Sequence, residues 1–99
     1  MESLNKVLKK QLQELNKIEK KNERKLKNTL EGSLYAIKNK NSFQYYWRKD
    51  DGTETYINKK NRGIVKKLAQ KEYEKKVRII VRKNKKCLKD MLDKYEFDE

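Results

Sequence analysis

Seven aliphatic residues near the start of the chain, Leu4, Leu8, Leu12, Leu15, Ile18, Leu26 and Leu30, recur at spacings of three, four and eight. At 3.6 residues per turn they share one stripe, with Lys, Glu, Asn and Gln over the rest of the surface. The spacing predicts a helix over 2–31, about 45 Å long. The stripe is narrow and is interrupted at Asn22, as in a coiled-coil seam with a polar register marker. Gly32 stands where a left-handed C-cap is expected. So thin a stripe cannot hold a helix alone, so this one needs a partner.

From Ser33 the period falls to two. The runs SLYAIK and SFQYYWRK are rich in aromatic and β-branched residues, with Asn39–Asn41 between them as a hairpin turn. Asp51-Gly52 reads as a type I′ turn leading to a third strand, TETYIN. Two-residue turns at 40–41 and 51–52 put Leu34, Ala36, Phe43, Tyr45, Trp47 and Tyr56 on one face. Tyr35, Ile37, Gln44, Tyr46, Arg48, Thr55 and Ile57 fall on the other. The first face is the more apolar and is expected to meet the helices.

Asn58 or Asn61 then caps a second helix running to about Tyr95. Its apolar stripe is Val65, Leu68, Tyr73, Val77, Ile80, Val81, Cys87, Leu88, Met91, Leu92 and Tyr95. The expected fold class is α+β: a long N-terminal helix, a three-stranded antiparallel meander over 33–58, and a long C-terminal helix over 59–95. The helices pair as an antiparallel, coiled-coil-like hairpin within a single elongated domain spanning 1–99. Residues 96–99 form an acidic tail. Intermolecular pairing of the same stripes, giving a homodimer, is the competing arrangement.

Composition narrows the function. Charged residues make up 43% and hydrophobic residues 34%, which leaves little material for a thick core, and the net charge is +13. A surplus of that size favours a polyanionic partner, most often nucleic acid. Of the 28 basic residues only Arg24, Arg48, Arg62, Arg78 and Arg82 are arginine. A Lys-rich bias with many merely solvated lysines is therefore the competing explanation.

Catalysis has little to work with. Histidine is absent, Cys87 is the only cysteine, and no glycine-rich phosphate loop occurs. The acidic pairs Asp50/Asp51 and Asp98/Glu99 fall in a turn and a tail, where solvated carboxylates are the ordinary reading. No enzymatic activity, cofactor or metal is expected. The opening MESLNKVLKK is unlike a secretory signal and no apolar run suits a membrane span, so the expected location is cytoplasmic.

The stretch Glu31 to Val77 carries Glu31-Gly32-Ser33-Leu34, Gln44-Tyr45-Tyr46-Trp47-Arg48, Tyr56-Ile57, Lys59-Lys60-Asn61 and Leu68-Ala69-Gln70-Lys71, with Tyr73, Lys76 and Val77. This pattern, about half the chain, resembles the N-terminal region of a family of uncharacterised proteins from Gram-positive anaerobes. Longer members of that family carry a following segment similar to a restriction-endonuclease domain, whose catalytic motifs have no counterpart here. The resemblance implies a DNA-engaging or accessory region, or a free-standing competitor of such enzymes coded by a phage or plasmid. In element order alone the chain is also similar to the arm-type DNA-binding domains of phage integrases.

Two basic clusters are the candidate contact surface. In the meander, Gln44, Tyr46 and Arg48 are expected to face bases or backbone, with Lys38, Lys40 and Lys49 on phosphates. Around the start of the second helix lie Lys59, Lys60, Arg62, Lys66, Lys67 and Lys71, where free N–H groups favour anions. The run Arg78, Arg82, Lys83, Lys85, Lys86 and Lys89 is expected to be a solvent coat. The leading expectation is a small DNA- or RNA-binding module of a phage or mobile element. The rival is a protein-interaction module that oligomerises, or that inhibits a nuclease or a host-defence nucleoprotein complex.

Overall fold

The computed structural model describes residues 3–95; the acidic tail expected at 96–99 lies outside them. The elements are α1 (Leu4–Lys27), β1 (Ser33–Asn39), β2 (Ser42–Arg48), β3 (Glu54–Tyr56), a 3₁₀ turn (Lys59–Asn61) and α2 (Arg62–Tyr95). The architecture is the expected α+β order of helix, antiparallel meander and helix. The helices pack against each other in antiparallel sense: Glu19 meets Lys85 at one level and Lys25 meets Glu74 at another. The chain forms two compact units, Met1–Arg24 with Lys76–Glu99, and Lys25–Lys75.

In the first unit, Ser3 caps α1 by accepting the Lys6 N–H on its hydroxyl at 3.2 Å. Buried and half-buried positions there include a seven-residue repeat. On α1 these are Asn5 and Leu12 with Glu19, and Leu8 and Leu15 with Asn22; on α2, Val81 with Leu88, and Lys85 with Leu92. That is a heptad seam, and part of it is polar. The Lys85 ammonium donates to a Glu19 carboxylate oxygen at 2.8 Å, with both side chains more than four-fifths buried. Lys85 is thus a structural residue and not part of a solvent coat. The expected stripe on α2 needs a second correction, since Tyr73, Ile80, Cys87 and Met91 are exposed. Tyr73, Ile80 and Cys87 each stand one residue before a seam position (Glu74, Val81, Leu88), on the helix flank. On α1, Leu4 and Ile18 are exposed too.

In the second unit α1 ends at Lys27, earlier than expected, with Thr29 donating its hydroxyl to the Leu26 carbonyl. Gly32 is therefore not the helix cap. Its φ of +81° instead starts the sheet, and a Cβ there would collide with the Arg48 carbonyl oxygen, so this approach of β2 admits only glycine. Asn58 precedes the 3₁₀ turn, but its side chain makes no capping hydrogen bond. Leu68 and Ile57 are fully or almost fully buried, with Leu26, Leu30, Leu34, Tyr45, Trp47, Ile64 and Val65 half-buried.

The sheet order is β1-β2-β3. Asn39 pairs with Ser42, so the first turn is the expected two-residue one, with Lys40 at φ +51°. The second turn differs. Lys49 N–H donates to Thr53 O at 2.9 Å, Gly52 N–H donates to Lys49 O at 3.0 Å, and Gly52 has φ +90°. Asp51 is not in the left-handed region a type I′ turn requires. This is a three-residue loop, a β-turn closed by a left-handed glycine, which is the next most common hairpin connection. The Asp51 carboxylate is not merely solvated: it accepts the Thr53 hydroxyl and N–H at 2.7 and 2.9 Å, and these bonds lower its pKa.

The extra loop residue moves β3 by one position relative to the expected register. Tyr56 pairs with Tyr46, Thr55 with Trp47 and Glu54 with Arg48. Tyr56 therefore changes to the face of Tyr46, while Thr55 joins Trp47. Ile57, whose N–H reaches the Tyr45 carbonyl at 2.8 Å, is buried. The face expected to meet the helices is covered only in part. Leu34, Tyr45 and Trp47 are half-buried, but Ala36 and Phe43 are exposed.

The Glu19–Lys85 pair yields a pH prediction. The hydrogen bond from Lys85 holds the Glu19 carboxyl below its ordinary value, with the charges of Lys85, Arg82 and Lys89 assisting against burial. A carboxyl whose folded pKa is depressed stabilises the fold fully above the unfolded value, about 4.3, and loses this as pH falls through the folded one. Denaturant titration of Glu19→Gln is expected to show a deficit of about 1 kcal/mol at pH 7. That deficit should shrink as pH falls below the unfolded value and Glu19 takes up its proton.

Candidate nucleic-acid interface

Because β3 pairs only with Tyr46–Arg48, the pairs from Ala36↔Tyr45 to Asn39↔Ser42 form a two-stranded ribbon beyond it. Alternation sorts the ribbon's side chains. Ala36, Lys38, Phe43 and Tyr45 lie on the face of Leu34 and Trp47, whereas Ile37 and Gln44 lie on the face of Tyr35, Tyr46 and Arg48. The residues expected to act together in the meander therefore divide between two faces. Lys38 is opposite the surface of Gln44, Tyr46 and Arg48.

The first face is aromatic and basic. Phe43 and Tyr45 stack at 6.4 Å between centroids with 25° between planes. The Arg62 guanidinium, from the first turn of α2, stands 5.5 Å from the Tyr45 ring centre. Lys49 stands 4.9 Å from that of Trp47, whose Nε1–H donates to the Glu31 carbonyl at 2.8 Å. Lys38 is directly cross-strand from Phe43, and Lys40 occupies the ribbon's turn. Lys59 and Lys60 are exposed in the 3₁₀ turn; Arg62 and Lys66, four residues apart, are neighbours on the helix surface, and Lys67 is exposed beside them. Among the described residues, none of these cations forms an ion pair with a carboxylate. Sequence reasoning placed Tyr45 and Phe43 in the core; the signal it lacked was the short β3, which leaves the end of the ribbon uncovered.

The opposite face carries a row of tyrosines, one from each strand. Tyr35 and Tyr46 lie 6.5 Å apart, Tyr46 and Tyr56 lie 5.5 Å apart edge to face, and Tyr35 and Tyr56 are 40% and 50% exposed. Gln44 Oε1 accepts the Tyr46 hydroxyl at 3.5 Å. Arg48 lies over Tyr35 at 4.7 Å and donates twice to one Glu54 oxygen, at 3.0 and 2.7 Å. Its charge is compensated within the sheet. Tyr56 was not among the expected site residues because the expected β3 register turns it inward; Tyr35 was expected on this face but not among them.

Lys71 also leaves the candidate set. Its ammonium donates to the carbonyls of Leu30 and Gly32, both at 2.8 Å, so it braces the α1–β1 connection. No cluster of His, Cys, Asp or Glu among the described residues suits a metal ion, and no helix of the described residues is long and apolar enough to cross a membrane. Comparison with protein-family models, with curated proteins and with solved structures found no match.

The division between bracing and available cations can be tested on α2 itself. Hydrogen bonds from a charged donor contribute about 1.5–3 kcal/mol each. Lys71→Met, which keeps the apolar stem, is expected to lose about 2 kcal/mol of stability in chemical denaturation. Lys66→Met on the exposed flank should stay within about 0.5 kcal/mol of the parent.

Proposed function

We propose that the chain is a small nucleic-acid-binding module whose contact surface is the Phe43–Tyr45 face of the ribbon together with the start of α2. The observation that carries this reading is the association of exposed Phe43 and half-buried Tyr45 and Trp47 with Lys38, Lys40, Lys49, Lys59, Lys60, Arg62, Lys66 and Lys67, none compensated by a carboxylate among the described residues. Eight like charges in one compact unit repel one another, and a polyanion relieves that repulsion while releasing its own counterions. Lys and Arg on phosphates provide affinity here without naming a sequence. Lys71 and Arg48 are left out of the surface because the fold already employs them.

Salt titration tests this. Each Lys–phosphate contact adds nearly one to the slope of log K against log salt, so Lys38→Ala/Lys60→Ala/Lys66→Ala together should lower that slope by about two to three. The pair Lys20→Ala/Lys83→Ala, exposed in the other unit, should leave it within about one. Binding at low salt no tighter than that of a lysine-rich peptide of equal charge would refute the reading.

One observation favours a protein-contact reading of the other face. Exposed tyrosines beside a charge-compensated Arg48–Glu54 pair have the composition of interface hot spots. Under that reading the module oligomerises or docks on a nuclease or nucleoprotein partner. Light scattering on size-exclusion fractions separates the two: an oligomer whose mass is indifferent to nucleic acid is the protein-contact outcome, and a monomer that gains mass only with nucleic acid is the outcome expected for the leading proposal.

A further inference from the structure

We infer that the ribbon takes unpaired nucleotides, with Phe43 as the stacking surface for a base and Lys38, Lys40 and Arg62 holding the flanking phosphates. This rests on the nucleic-acid reading above and specifies its ligand. Phe43 is 53% exposed, the highest exposure of any aromatic residue on that face, whereas Tyr45 is half-buried with Arg62 over its ring. Phe43 is thus the ring with an open side. Its centroid lies 6.4 Å from that of Tyr45, in nearly parallel planes, so a base laid on Phe43 extends a row of π-surfaces ending in a guanidinium.

The choice between paired and unpaired nucleic acid follows from what this face displays. In a duplex each base face is covered by its neighbours, and only edges and phosphates are accessible. Reading edges in a groove takes paired donors and acceptors such as those of Gln or Arg. On the ribbon Gln44 is turned to the opposite face, Arg48 is both turned away and bound to Glu54, and Arg62 from α2 lies over the Tyr45 ring. What remains beside the cations is a hydrocarbon ring, which gains from the face of a base and little from its edge. Every base has such a face, so stacking of this kind is tolerant of sequence. The cross-strand position of Lys38 relative to Phe43, and of Lys40 in the adjoining turn, puts positive charge next to the ring and at the end of the ribbon.

Fluorescence anisotropy with a labelled 20-nucleotide oligothymidylate and a labelled 20-base-pair duplex, each titrated with the full chain at fixed salt, tests the inference. The single strand is expected to bind at least tenfold more tightly than the duplex. Phe43→Ala should weaken single-strand binding about tenfold and duplex binding less than twofold. Phe43→Trp should retain the preference and show quenching of the new indole on binding; circular dichroism of both variants confirms the fold. If Phe43→Ala leaves single-strand affinity unchanged, or if the duplex binds as tightly as the single strand, the inference falls. In that case continued loss on Lys38→Ala and Arg62→Ala would leave the nucleic-acid reading standing. Absence of salt-dependent binding to either probe would remove both.

Discussion

Three consecutive backbone carbonyls, those of Leu30, Glu31 and Gly32, are satisfied by side chains that arrive from two other elements. Lys71 on α2 takes the outer two and the Trp47 indole on β2 takes the middle one, each at 2.8 Å. The connection between α1 and β1 has no regular backbone partners for its carbonyls, and the partly buried ones are costly unless something donates to them. Here the donors fix the α1–β1 connection to both the sheet and α2. Gly32 completes the joint, because only a residue without Cβ lets the Arg48 backbone approach so closely. The placement of the meander in its unit, and hence of its two faces, depends on this connection.

That same economy sorts the positive charge. A net charge of +13 suggests a uniform coat, yet several cations are committed internally: Lys71 to backbone carbonyls, Lys85 to Glu19, Lys25 to Glu74 and Arg48 to Glu54. Buried Glu74, which also accepts from Gln70 at 2.9 Å, continues on α2 the seven-residue register of Val81 and Leu88. Ionic groups in a seam contribute little net stability, since desolvation offsets most of the attraction, but they can set register. The cations not so committed include those of the ribbon and the start of α2, which is why these, and not total charge, define the proposed surface.

The elements were legible in the sequence because each has its own period: three-to-four spacing in the leucines of α1, alternation in SFQYYWRK, and a return to helical spacing after Asn61. Two features were not. Asp-Gly serves both a type I′ turn and the last two positions of a three-residue loop, and the choice between them shifts β3 by one residue and reverses Tyr56, Thr55 and Ile57. The α2 seam was hidden for a different reason. Its positions include Glu74 and Lys85, long charged residues that look like surface, while Tyr73, Ile80 and Cys87 on the flank look like core. Hydrophobic periodicity alone finds Leu68, Val81 and Leu88 but widens the stripe onto one flank and omits its charged members. Of the candidate site, Lys38, Lys40 and Arg62 were legible as candidate cations, whereas Phe43 and Tyr45 beside them were not, because residue type alone consigns them to a core.

A third strand of only three residues explains why apolar side chains remain exposed on both faces of the ribbon beyond it. A two-stranded ribbon is marginal in water without something to pack against. Beyond Tyr45 neither face has a cover of that kind, so Phe43 and Ile37 stay 53% and 40% exposed. Side chains kept there for stability alone would be expected to be Thr or Val, which favour strands while exposing less apolar area. An exposed phenyl ring next to Lys38, on the same surface as an arginine-covered tyrosine, suits the proposed ligand, which would offer both a flat π-face and negative charge. A nucleotide offers both in one molecule. The tyrosine row opposite lacks such uncompensated cations among the described residues, and this difference between the two sides of one small sheet is the reason the proposed nucleic-acid contact is drawn on the Phe43 side.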